Sequence, residues 1–354
     1  MSKVFMMGGA YMGCWYVRMF LPMIHNGWSG NYLGLKRQLK PAKIVEEEIK
    51  NADIVVFHRA DTVEHHKIGM MLKQMGKKVV FDNDDTYQLD EYHPFFNLDE
   101  KGFKQNKIHL NNIINNFIRN VDLVTCSTEY LAKEYRQLNP NVIVLKNCVD
   151  QDDWDEPLRN EGDKVRVGLV GSTAYAHDFE MIRDLLLKLS KDKRVQLVVF
   201  GLPKDDGANP KTAEVHKKEL AFLRELETVE HVPWCDMADY FTQLNELRLD
   251  MMLIPRRENH FNKAKSNVKF LEAAMCEIPV IASSFPDAPY ENDIDGMNGI
   301  LAKTPEEWDN AVERLITDKK LRRSMGKRAK KYVLANYNIA DHAHLWEEAY
   351  ATLK

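Results

Sequence analysis

The chain has 354 residues, 44% of them hydrophobic and 29% charged, and a formal net charge of -4. That length exceeds one ordinary core and suits two domains, while the composition excludes long disorder and lacks the dense basic surplus of a nucleic-acid-coating protein. The longest apolar runs, such as Leu197–Phe200 and Met251–Ile254, fall far short of the ~20 residues of a bilayer span, so no transmembrane helix is expected.

The N-terminal apolar run Val4–Met7 follows a single lysine and stops at glycine, which is too short for a secretory leader, and Lys3–Met7 reads as a first strand. The five cysteines, Cys14, Cys126, Cys148, Cys235 and Cys276, form no C-x-x-C pair and no zinc spacing, so a reducing, cytoplasmic setting is expected. Further along, strands are predicted at Ile54–His58, Lys78–Phe81, Leu123–Cys126 and Val142–Leu145. They alternate with helical stretches at Thr62–Gln74, Phe103–Arg119 and Glu129–Leu138. A polar, turn-rich segment over 151–163 then reads as a hinge.

A second series begins with strands at Val165–Val170, Gln196–Phe200, Val229–Val232, Met251–Ile254 and Val280–Ser283. Its helices are predicted at Asp178–Leu189, Ala213–Leu226, Met237–Leu247 and Val268–Cys276. Helical patterns at Pro305–Thr317, Leu321–Asn336 and Asp341–Leu353 close the chain. Strands alternating with helices predict an α/β fold with parallel sheets. The expected division is a first Rossmann-like domain over 1–150 and a second over 164–335, with 336–354 packing back on the first.

Several loops carry candidate chemistry. Gly8-Gly9-Ala10-Tyr11-Met12-Gly13 follows the first strand but misses the G-x-G-x-x-G spacing, so no dinucleotide site is expected. His58-Arg59 sits at the end of its strand, where a histidine polarises an acceptor hydroxyl or is simply satisfied at the strand end. Asp82, Asp84 and Asp85 lie just past a strand, where ligands of open sheets bind. Asp84 and Asp85 are candidates for a base or an acceptor-positioning group. Asp82 with Asp84 also reads as an Asp-x-Asp metal pair or a plain turn, and a divalent metal is not expected to be essential.

Gly171-Ser172 ends the first strand of the second series, where glycine admits a phosphate and Ser172 or Thr173 can donate to it. Arg256-Arg257 follows a later strand, either to neutralise a diphosphate or as a surface pair held by Glu258. The most informative segment is Asn262–Ser283. Ser266 or Asn267 can cap a helix whose first turn exposes N–H groups, and Lys263, Lys265 and Lys269 add positive charge, which makes an anion site. Glu272 lies on an otherwise apolar helix and needs a partner, which a pair of sugar hydroxyls can supply.

Leu271-Glu272-Ala273-Ala274-Met275-Cys276-Glu277-Ile278-Pro279-Val280-Ile281-Ala282 resembles the second-domain signature of glycosyltransferase family 4 of the GT-B fold. The resemblance spans Val165 to about Tyr337 and is architectural in the first domain. A Lys-Ser-Asn-x-Lys donor loop is shared with short bacterial and phage-type members. It implies two Rossmann-like domains facing a cleft, with Glu272 on the nucleotide ribose and the Gly171-Ser172 loop against the diphosphate. The first Glu of the E-x7-E signature falls on Ala264, and the usual Gly before the Pro is Glu277. The resemblance also sets the first strand-to-helix loop on the acceptor side. Arg18, on the helix that follows, either reaches that cleft or is a solvated or structural arginine, and Arg59 is a further acceptor-side candidate.

The expected function is transfer of a sugar, with retention, from a nucleoside diphosphate sugar to a hydroxyl of a glycan or lipid-linked precursor, with no tightly bound cofactor. One alternative is a phage-type transferase acting on a hydroxymethylated pyrimidine in DNA, its groove lined by Lys36, Arg37, Lys40, Lys43, Lys101, Lys104 and Lys107. Another is a non-catalytic nucleotide-sugar-binding protein or a sugar-phosphate epimerase on the same frame.

Overall fold

The computed structural model describes residues 2–8, 13–33, 38–88, 111–172, 175–201 and 221–353. The first of its two six-stranded sheets holds β1 (Val4–Gly8), β2 (Ser29–Gly30), β3 (Ile54–His58), β4 (Lys78–Asn83), β5 (Leu123–Cys126) and β6 (Val142–Val144). The second holds β7 (Val165–Val170), β8 (Val195–Phe200), β9 (Val229–Val232), β10 (Met251–Ile254), β11 (Val280–Ser283) and β12 (Ile300–Ala302). These strands pair in parallel throughout, in the orders β2-β1-β3-β4-β5-β6 and β12-β11-β10-β7-β8-β9.

Helices cover both faces of such sheets, so β3, β5, β10 and β11 are buried at every residue and are apolar apart from His58, Thr125 and Ser283. Register then brings functional residues together: His58 of β3 pairs with Gly8 of β1 on one side and Asp82 of β4 on the other. In each sheet the strand order reverses beside the first strand, between β1 and β3 and between β7 and β10. Loops leaving the strand ends there diverge to opposite faces and open a crevice.

Among the described residues, β2, β12 and the helices Ala42–Asn51 and His260–Ala264 are elements that the sequence pattern does not predict. β2 is two residues long and exists through its pairing with β1, and β12 has three residues. The helix Ala42–Asn51 has no fully buried residue; it touches the core through half-buried Val45 and Ile49, one turn apart, a stripe too narrow to stand out in the sequence. The single helix expected at 178–189 is instead two, Ala176–Glu180 and Arg183–Lys191. In the first piece Asp178 turns inward to the loop after β10, accepting from Arg257 N and Asn262 Nδ2 at 2.9 Å each. The last helix likewise divides into Ile339–His342 and His344–Ala351. The expected helical residues 103–110 and 213–220 lie outside the described residues; 111–120 is helical and Ala221–Glu225 forms a 3-10 turn.

After the helix Lys319–Tyr337 the chain returns to the first sheet. Val149 N donates to Tyr337 O at 2.9 Å and Ile339 N to Val149 O at 2.8 Å. Trp346 and Tyr350 join one core with Val4, Met6 and Trp15. Ala264, from the second half, is buried in another core with Phe81 and Leu131.

Candidate active site

A cavity of about 460 Å³ opens where the two reversal points face each other. Its second-lobe floor is kept low by two glycines. A Cβ on Gly171 would strike the Tyr175 ring, and one on Gly201, at φ +88, would lie 2.9 Å from the Gly171 carbonyl. Only a backbone this bare lets a phosphate approach the sheet end.

Arg256 stands above this floor. Its backbone N–H donates to Ser283 Oγ at 2.7 Å, and its guanidinium lies 3.9 Å from the Tyr175 ring centre and 3.2 Å from Asp178 Oδ2. Burial works against the charge, but Tyr290, Tyr175 and Asp178 outweigh it and hold the pKa above its ordinary value. Its Nε bonds to no described residue, which leaves a buried cationic donor in the cavity wall. Burial in turn raises Asp178 above the ordinary carboxyl range against the opposing pull of Arg256.

The other end of the cavity is built on the helix Val268–Met275. Glu272 Oε2 accepts from Tyr240 OH and Lys269 Nζ, both at 2.7 Å, and Lys269 Nζ also donates to Tyr240 OH at 2.9 Å. Tyr240 is stacked on Phe200, with centroids 5.6 Å apart. The carboxylate is thus fixed through one oxygen and offers the other to a ligand. Tyr240 was not anticipated, because one tyrosine on an amphipathic helix has no signature in sequence.

On the first lobe, Asp84 Oδ1 accepts from Arg59 Nη2 at 2.9 Å and Nε at 3.2 Å, and His58 Nε2 lies 3.6 Å away. Burial pushes this carboxyl up, but Arg59 and then His58 outweigh it and hold it well below the usual range. Arg59 has φ +54, the left-handed region, which costs a non-glycine residue of order 1 kcal/mol unless its surroundings fix it. Cys14 Sγ lies 3.1 Å from Arg59 Nη2, yet burial raises its thiol to about 12, so it stays protonated. Lys265 Nζ donates to Asp85 Oδ2 at 2.6 Å, an ion pair between the lobes.

One cavity therefore brings together Asp84, Gly171, Ser172, Arg256, Lys265, Ser266, Lys269 and Glu272. Arg18 does not reach the cleft, and of its two readings the structure shows the structural one. It is fully buried, paired with Asp82 through Nε at 3.0 Å and Nη2 at 2.6 Å, because its helix packs against the sheet. Asp82 also accepts from Thr125 Oγ1 at 2.6 Å, so its oxygens are taken and it does not form an open metal pair with Asp84. Among the described residues no group of three metal-ligating side chains occurs. His58, 2% exposed, sits behind Asp84 rather than in the cavity, and Asp85 faces Lys265.

Asn267 is turned away from the cavity, its Nδ2 donating to Asp293 at 2.8 Å, and it makes no side-chain cap; Ser266 Oγ accepts from Asn147 Nδ2 at 2.9 Å. Arg257 Nε donates to His177 O at 2.8 Å. Of the lysines proposed for a nucleic-acid groove, Lys40 is paired with Glu48 at 2.8 Å and Lys43 is exposed. Lys36, Arg37, Lys101, Lys104 and Lys107, like Thr173, lie outside the described residues. Glu277 adopts φ +53, which is the conformation that makes glycine usual there, and its carboxylate is tied to Arg159.

A family model described as glycosyl transferases group 1 matches residues 150–332. The chain belongs to the group 1 glycosyl transferases. It is a glycosyltransferase, and its two lobes have the GT-B architecture. The sucrose-phosphate synthase of Thermosynechococcus elongatus is 14% identical, with 99% of each chain covered and a TM-score of 0.68. Anabaena HepE in complex with UDP and glucose is 13% identical over 99% of this chain and 100% of that one, with a TM-score of 0.68. A glycosyltransferase of Rickettsia africae is 13% identical over 100% of this chain and 99% of its own, with a TM-score of 0.63. No curated protein matches the chain. Among the described residues no helix is long and apolar enough to cross a membrane.

Proposed function

We propose that this glycosyltransferase moves a sugar from a nucleoside diphosphate sugar to a hydroxyl of a glycan or lipid-linked acceptor, with retention at the anomeric carbon. The observation that carries the reading is the convergence, in one cavity, of a glycine floor, buried cations and an anchored carboxylate. Glu272 Oε1 accepts from the ribose hydroxyls while Tyr240 and Lys269 hold the other oxygen. The diphosphate lies over Gly171 and Ser172, where Arg256 and Lys265 stabilise the charge that develops as the bond to the sugar breaks. Anabaena HepE, whose complexes contain UDP or UDP-glucose, supports a uridine diphosphate sugar as donor.

Asp84, kept ionised by Arg59, orients the acceptor hydroxyl and takes its proton, with His58 positioned behind it. Motion of the lobes about 151–163 closes the cleft and excludes water, which otherwise hydrolyses the donor. The test is a panel of UDP, GDP and ADP sugars read by thermal shift and donor hydrolysis. One sugar is expected to raise the melting temperature and to be slowly hydrolysed; no response to any member overturns the reading.

A further inference from the structure

The helix Lys319–Tyr337 reads KKLRRSMGKRAKKYVLANY and contains no acidic residue, in a chain whose net charge is -4. Its inner face, including Met325, Gly326, Ala329, Val333 and Tyr337, is buried against the second lobe. Arg322 also points inward, where its Nη1 donates to the Leu315 and Ile316 carbonyls at 2.5 and 2.9 Å. Outside, Lys319 and Arg323 share the carboxylate of Glu161 at 4.0 and 3.2 Å.

Lys320, Lys327 and Lys331 are different. All three are exposed, and no described carboxylate lies within 4.0 Å of any of them. At about 100° per residue they fall within about 40° of one another, on the side opposite the buried face, in a row about 17 Å long. Met297, 57% exposed, lies at the edge of this row, its carbonyl accepting from Arg328 Nε at 3.0 Å.

We propose that this face docks the enzyme onto an anionic lipid surface. A straight row of flexible ammonium groups on an outward-facing helix suits headgroups that can gather beneath it, and Met297 adds an apolar side chain that enters the interface. Duplex DNA fits less well. A helix reads a major groove by entering it, and this one is held against the helix Val268–Met275. That supporting helix carries Lys269 and Glu272, so docking would set the donor lobe directly behind the contact.

The test uses the full chain and sedimentation with vesicles of phosphatidylcholine alone or mixed equally with phosphatidylglycerol. Wild type is expected to pellet only with the anionic vesicles and to be released at high salt. Each lysine near such a surface strengthens binding about fivefold, so the triple variant Lys320→Gln, Lys327→Gln, Lys331→Gln should bind about a hundredfold more weakly. A control with the same charge change elsewhere, Lys188→Gln, Lys191→Gln, Lys193→Gln, should bind like wild type. Equal melting temperatures and equal donor responses show that both variants are folded. The proposal is overturned if wild type ignores anionic vesicles, if the two triple variants bind alike, or if duplex DNA binds the face more tightly than the vesicles do at the same salt.

Discussion

The buried pair of Arg18 and Asp82 offers the sharpest test of how the first lobe is built. Both side chains are 0% exposed, and the guanidinium also donates to the Leu145 carbonyl and to Asn147 Oδ1, the latter at 3.1 Å. Asp82→Ala leaves that charge in the core without its counter-ion, and Thr125 Oγ1 loses its acceptor as well. Removing one member of a buried pair costs about 3–5 kcal/mol. In a lobe of this size, each kcal/mol lowers the melting temperature by about 2–4 °C, so a fall of about 6–20 °C is expected by calorimetry. Replacing both charges, Arg18→Met with Asp82→Leu, should recover most of the loss, because the cost lies in the unpaired charge rather than in a missing attraction. An Arg18→Met protein that melts like wild type but cannot transfer sugar would refute the argument and return Arg18 to the cleft.

Other changes address the cavity. Glu272→Gln should weaken donor binding by about 10- to 100-fold in calorimetric titration, because a charged acceptor is lost, whereas Tyr240→Phe should cost only about fivefold. A larger effect from Tyr240 would mean that it touches the donor itself. The folded-state pKa of Asp84 lies below its unfolded value. Its contribution to stability is therefore present above the ordinary carboxyl range and lost as the pH falls through the depressed value. Arg59→Met removes the main cause of the depression while burial remains, so the acid limb of kcat/KM should move to higher pH; an unmoved limb would exclude Asp84 as the proton acceptor. Gly326→Ala would place a Cβ on the Glu277 carbonyl and should lower the melting temperature by several degrees. An unchanged melting curve would show that the two helices separate easily.

Much of the fold was legible in the chain. The bounds of β3, β5, β10 and β11 follow from the sequence because strands covered on both faces are predominantly apolar, with His58, Thr125 and Ser283 as the polar exceptions. Glu272 was legible for the opposite reason: a carboxylate on an apolar helix is conspicuous. What sequence left undecided was direction. Arg18 and Arg256 both follow strands on helices or loops near the expected cleft. The sheet turns the first into the core against Asp82 and the second into the cavity over Tyr175. Likewise Lys265 meets Asp85, 180 residues away, only because the lobes face each other. Local pattern fixes which residues are apolar and where a strand ends. Which charge meets which partner is set by contacts between segments remote in the chain, which exist only once each sheet has formed its lobe and, for Lys265 and Asp85, once the lobes face each other.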